Sequence, residues 1–67
     1  MNTIGKRIRE LREEKELSQE KLGKAMGISQ AGIARWESGV NTPDIYSVAM
    51  LAKFFNVTTD YLIGLED

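Results

Sequence analysis

The stretch LSQEKLGKAMGISQAGIARWESG, residues 17–39, decides the fold. Leu22, Ala25 and Met26 recur at helical spacing behind Ser18. The Ser18 hydroxyl is placed to cap a short helix, accepting an N–H that the first turn leaves unpaired. Glu20 falls in that turn, where the helix dipole favours negative charge, while Lys21 holds the place where a capping box would carry Glu or Gln. Gly27 stops the helix, because Gly enters the left-handed cap conformation without a Cβ clash. Ser29 caps a second helix that runs to about Ser38 and ends at Gly39. Ile33 and Trp36, three apart, form its inward side, and this spacing assigns Trp36 to the core rather than to stacking on a base. Gln30, Ala31, Ala34 and Arg35 occupy the opposite side, starting at a helix N-terminus. Gly23 falls where the two helices touch, a place for a very small residue. Helix propensity favours Ala there by up to about 1 kcal/mol. Gly23→Ala is therefore expected to be neutral or stabilising, and Gly23→Leu disruptive by overpacking.

Two short helices joined by a tight glycine turn form a helix-turn-helix, here spanning about residues 18–38. Outward on the N-terminal side, a helix is expected from about Thr3, its cap, to Lys15, with Ile4, Ile8 and Leu11 on one face. Lys6, Arg7 and Arg9 cluster there and read as a solvated face. On the C-terminal side, Val40 to Pro43 form a loop. A fourth helix follows, capped by Asp44 or Thr42, with Ile45, Val48, Leu51, Ala52 and Phe55 along its core side and Asn56 closing it. Thr58 caps a last short helix whose Leu62 and Ile63 face inward. The expectation is an all-α fold of five helices in a single domain, residues 1–67. On the fourth helix, Tyr46, Met50 and Phe54 recur every four residues, off the core side. Three large apolar side chains exposed together point to a partner surface.

Composition narrows the function. With 67 residues the chain has room for one domain. It has no Cys and no His, so thiolate metal sites, disulfides and the commonest general base are all missing. The six Gly match no nucleotide-binding fingerprint. No pair of carboxylates has a supporting acid, base or metal ligand, so neither enzyme nor cofactor nor small-molecule ligand is expected. The longest apolar run, Val48 to Ala52, is far below the roughly 20 residues a membrane span needs. The charged N-terminal region rules out a signal peptide, and a cytoplasmic protein is expected. Net charge is -1 and the pI about 5.4, where a basic domain is usual for binding nucleic acid. The charge is polarised, however. Residues 1–35 carry eight Lys or Arg against five Glu, and residues 36–67 one Lys against five acids. The local field, not the total, acts on a partner.

The chain resembles the phage repressor/Cro family of helix-turn-helix regulators, also called Xre-like. The likeness runs over nearly the whole chain. It rests on Ile8-Arg9-Glu10-Leu11-Arg12, Leu17-Ser18-Gln19, Gly27, Trp36-Glu37-Ser38-Gly39, Pro43, Leu51-Ala52 and Asp60-Tyr61-Leu62. It implies a lambda-repressor-like fold and a sequence-specific regulator of prokaryotic or phage origin, a repressor whose third helix enters the major groove of double-stranded DNA. Carried over, Gln30 and Arg35 become base readers, for adenine and guanine respectively, and Ala31 meets a thymine methyl. Ser18, Gln19, Ser29, Ser38, Asn41 and Thr42 contact the DNA backbone. Arg12 and Glu37 form a salt bridge that holds the recognition helix. Relatives dimerise near the start of the last helix, which adds Val57, Thr59 and Tyr61 to the Tyr46, Met50 and Phe54 face. The expected unit is a homodimer, formed in solution or on DNA, bound to a pseudo-palindromic operator. Ala31, Gly32 and Ala34 leave the reading surface sparse, and Val40 and Asn41 stand where relatives often carry Lys or Arg. Both departures imply weaker binding. The alternatives on this fold are a protein-interaction module, such as an antitoxin or adaptor, and the headpiece of a longer regulator.

Overall fold

A computed structural model describes residues 3–67. Among them are five helices and no strand: α1 Thr3–Glu14, α2 Gln19–Met26, α3 Gln30–Ser38, α4 Ile45–Phe55 and α5 Thr59–Ile63. None is long and apolar enough to cross a membrane. Thr3 is already helical rather than a cap, and what precedes it lies outside the described residues.

Caps fix the other four helix starts. Ser18, Ser29 and Thr58 accept from Lys21 N at 3.0 Å, Gly32 N at 3.1 Å and Tyr61 N at 2.9 Å. Between the two candidates for α4, Asp44 is the cap, its Oδ1 accepting from Ser47 N at 2.7 Å. That hydrogen bond holds the Asp44 carboxyl below the usual carboxylate range. Gly27, Gly39, Gly64 and Asn56 close helices in the left-handed conformation. Glu16, between α1 and α2, also takes φ 57°, a conformation costly for a residue with a Cβ.

The core joins Ile8 and Leu11 of α1, Leu22 and Met26 of α2, Ile33 and Trp36 of α3, Val48, Leu51, Ala52 and Phe55 of α4, and Leu62 of α5. α3 packs on both α1 and α2, and α5 packs on α1 and α4. Three apolar residues expected inside are outside. Ala25 is exposed beside Met26. Ile45 is 76% exposed and Ile63 47%. Ile45 occupies the first turn of α4, where no other helix covers it. Periodicity gives the direction of a side chain but not where the opposing element ends.

Gly23 corrects a second expectation. A Cβ added there would lie 2.3 Å from the Ile28 carbonyl oxygen. That carbonyl belongs to the turn, and the Ile28 N–H in turn donates to Gly23 O at 2.8 Å. Backbone cannot rotate away as a side chain does, so even Ala is excluded without moving α2 against α3. Steric contact overrides helix propensity here.

The C-terminal tail is tied to α1. The Arg7 guanidinium sits 4.2 Å from the centroid of the Tyr61 ring, a cation–π contact, and donates to the Tyr61 and Glu66 carbonyls. Thr58 bonds Glu66. Arg7 therefore has a structural task.

Candidate nucleic-acid interface

The exposed side of α3 follows from its anchoring. Ile33 and Trp36 are buried, which turns Gln30, Ala31 and Arg35 outward, all exposed, with Ala34 half-covered between them. Nine residues with two inward anchors do not by themselves fix a helix in rotation or along its axis. Polar contacts supply that. Arg12 donates from Nε to Glu37 Oε2 at 2.6 Å and from Nη2 to Oε1 at 3.1 Å. Its Nη1 donates to the Leu17 carbonyl at 2.7 Å. The two side chains are 12% and 5% exposed. Such a covered, two-pronged pair gives orientation as well as energy. The Glu37 hydrogen bond raises the Arg12 pKa above its usual value, against the opposing effect of burial.

The network continues to the exposed side of α3. Gln19 Nε2 donates to Glu37 Oε1 at 3.1 Å, and Gln30 Nε2 donates to Gln19 Oε1 at 2.6 Å. One hydrogen-bonded run thus links α1, the end of α3, the start of α2 and the start of α3. Arg9, Arg12, Gln19, Ala34, Glu37 and Ser38 line a shallow depression of about 270 Å³ beside it. The Arg9–Glu13 pair on its rim, 3.3 Å apart, is solvent-exposed and worth little.

The expected backbone-contact residues fall into two groups around α3. Ser18 and Gln19 start α2, and Ser29 caps α3. The two hydroxyls accept cap bonds, and a hydroxyl that accepts still carries a proton to donate. Ser38, Asn41 and Thr42 lie exposed beyond the other end. Ser38 Oγ donates to the Arg35 carbonyl at 3.2 Å, so it must give up that bond to donate elsewhere.

The residues expected at a dimer interface do not form one patch. Tyr46 is 80% exposed and Phe54 38%, with Met50 exposed between them. Met50 and Phe54 line a groove with Ala25, Met26 and Lys53, toward α2. Thr59 instead lines a separate apolar groove of about 450 Å³ with Ile4, Pro43, Ile45, Ala49 and Ile63. Val57 is half-buried against the core, and Tyr61 is half-buried under Arg7. Sequence reasoning missed this second groove because it placed Ile45 and Ile63 in the core. It also missed the Gln19–Glu37 bond, for which no spacing in the sequence gives a signal.

Residues 8–62 match the family model described as helix-turn-helix. The chain belongs to the helix-turn-helix family. Among similar proteins are the HTH-type transcriptional activator BcrR of Enterococcus faecalis, 37% identical over 96% of this chain and 31% of the relative, and the HTH-type transcriptional regulator AnsR of Bacillus subtilis, 38% identical over 90% of this chain and 52% of the relative. Repressor protein C2 of Salmonella phage P22 is 35% identical over 94% of this chain and 30% of the relative. The chain thus spans between about a third and a half of these relatives. The P22 c2 repressor protein, solved in complex with a synthetic operator, matches with a TM-score of 0.89 at 30% identity, covering 98% of this chain and 100% of that one. The resemblance to repressors of the phage type, read from the motifs, agrees with these matches.

Proposed function

We propose that the chain is the sequence-specific DNA-binding part of a prokaryotic or phage transcriptional regulator, a repressor acting in the cytoplasm, with α3 in the major groove. The observation that carries this reading is the exposed row Gln30, Ala31 and Arg35 on a helix clamped from behind by Arg12 and Glu37. A base reader needs side chains held at fixed positions, and the clamp supplies that. Gln30 and Arg35 read base edges and Ala31 a thymine methyl. Ser18, Gln19 and Ser29 hold one flank of the DNA backbone, and Ser38, Asn41 and Thr42 the other. The chain works as a dimer with recognition helices roughly 34 Å apart, one turn of DNA, on a pseudo-palindromic site. Tyr46, Met50 and Phe54, exposed on α4, supply the contact between protomers. No enzymatic role belongs to this reading.

The test is binding to an operator selected from random DNA, followed by salt titration and sedimentation. Affinity falls steeply with salt as phosphate contacts release counterions, and two protomers occupy one site. A single protomer at saturation overturns the dimer. The wide exposed apolar surface of α4 favours a second reading, a protein-interaction module. Absence of salt-dependent binding to any DNA sequence would support it over the first.

A further inference from the structure

We propose that Glu37, besides holding α3, is a positioning residue that sets which way round Gln30 presents its amide to a base. The inference rests on the reading of Gln30 as a base reader. A glutamine amide has a carbonyl and an NH₂ group of nearly equal shape, so its partners decide which faces where. An ionised carboxylate accepts hydrogen bonds and donates none. Glu37 Oε1, already accepting from Arg12 Nη2, lies 3.1 Å from Gln19 Nε2. Turning the Gln19 amide over would set its carbonyl against that carboxylate. Gln19 is therefore held with nitrogen toward Glu37 and oxygen toward α3.

The constraint passes one link further. Gln19 Oε1 accepts from Gln30 Nε2 at 2.6 Å. A turned-over Gln30 would again bring two acceptors together. With one N–H spent on Gln19, Gln30 keeps its second N–H and Oε1, a donor–acceptor pair that complements the N7 and N6 groups of adenine. The polarity originates in a charge at the far end of α3 and reaches the start of the same helix through α2. The first link ends on a carboxylate, and such bonds are roughly twice as strong as neutral ones.

Gln19 and Gln30 are the chain's two glutamines, so their side-chain amide signals are simple to follow by NMR. In the free protein, the Gln30 amide protons exchange with water more slowly than those of the exposed Asn41 and Asn56. Glu37→Gln and Gln19→Met both remove that protection. Gln19→Met leaves the Arg12–Glu37 pair in place, so it reports on the relay even if Glu37→Gln melts too low to use. On selected operators, both variants lose about tenfold of the discrimination at the base pair read by Gln30, with discrimination at the Arg35 base pair retained. Unprotected Gln30 amide protons in the wild-type protein overturn the relay while leaving base reading by Gln30 intact. Equal loss at both base pairs, with Gln30 still protected in the variants, reduces Glu37 to a clamp and also overturns it. Protected amides with no loss at any base pair on Gln30→Ala overturn the reading of Gln30 itself.

Discussion

The helices α3 and α4 are held by different physics. α4 buries four side chains, Val48, Leu51, Ala52 and Phe55, and apolar burial stabilises it without fixing much detail. α3 buries two, Ile33 and Trp36, and takes its position from directed contacts: the Arg12–Glu37 fork, the Gln19 bond and the close approach of Gly23 to the Ile28 carbonyl. Hydrophobic contact is non-directional, and a helix that presents side chains to a lattice of base pairs needs more. α4 thus supplies the larger set of buried side chains, and the directed contacts gather around α3.

This division is broken most forcefully in the core. Leu51 is fully buried, and Leu51→Ala should cost about 2–5 kcal/mol through the cavity it leaves. In a domain of this size that approaches unfolding. The remaining folded fraction should rank DNA sequences as the wild type does. An unchanged melting curve would place the source of stability elsewhere.

Gly23→Ala comes next. The Ile28 carbonyl must move, and overpacking of this kind costs about 1–3 kcal/mol. Because the shift displaces α3 on α2, base discrimination should fall as well. Chemical denaturation and operator binding of the same variant check both halves. A stabilised Gly23→Ala protein would restore helix propensity as the deciding term.

The Gly23 result shows what the sequence could and could not convey. Its smallness marked a helix contact, but not that the contact was backbone, and propensity then gave the wrong sign. Helix number and most of the core were legible, because Ile8, Leu11, Leu22, Ile33, Trp36, Val48, Leu51, Phe55 and Leu62 repeat at helical spacing and caps stand at the starts of α2 to α5. Ile45 and Ile63 were misplaced because a helical period does not reveal where a neighbouring helix stops. Within the candidate site, the Arg12–Glu37 pair was legible only through family resemblance, as its partners are 25 residues apart. The Gln19–Glu37 bond depends on side-chain conformations that no pattern encodes.

A smaller effect is expected at the α4 cap. The Asp44 carboxyl titrates below its usual range because it accepts from the Ser47 N–H. A lowered folded-state pKa means that the cap stabilises fully above the unfolded-state value and that this contribution is lost as pH falls through the lowered one. Asp44→Ala should lower the thermal midpoint at neutral pH. Asp44→Asn should retain much of the cap, since Asn is as good a cap residue, and should narrow its gap to wild type in acid. A constant gap at all pH values would deny Asp44 the charge-dependent role.

The smallest change in stability is expected on the exposed side of α4. Met50→Ala should alter monomer stability by no more than about 0.5 kcal/mol, yet weaken recruitment of the second protomer to an operator. A large loss of monomer stability would assign Met50 to the core and remove it from the proposed interface.

The most direct test of the central claim is base-by-base affinity of wild type, Gln30→Ala and Arg35→Ala for an operator selected from random DNA, with every base pair varied in turn. Each variant should lose about 1–3 kcal/mol of discrimination at its own base pair and little elsewhere, whereas Gln19→Ala should also weaken all sequences if the proposed phosphate contact of Gln19 is lost. Uniform weakening by Gln30→Ala and Arg35→Ala at every position would contradict α3 as the helix that reads DNA.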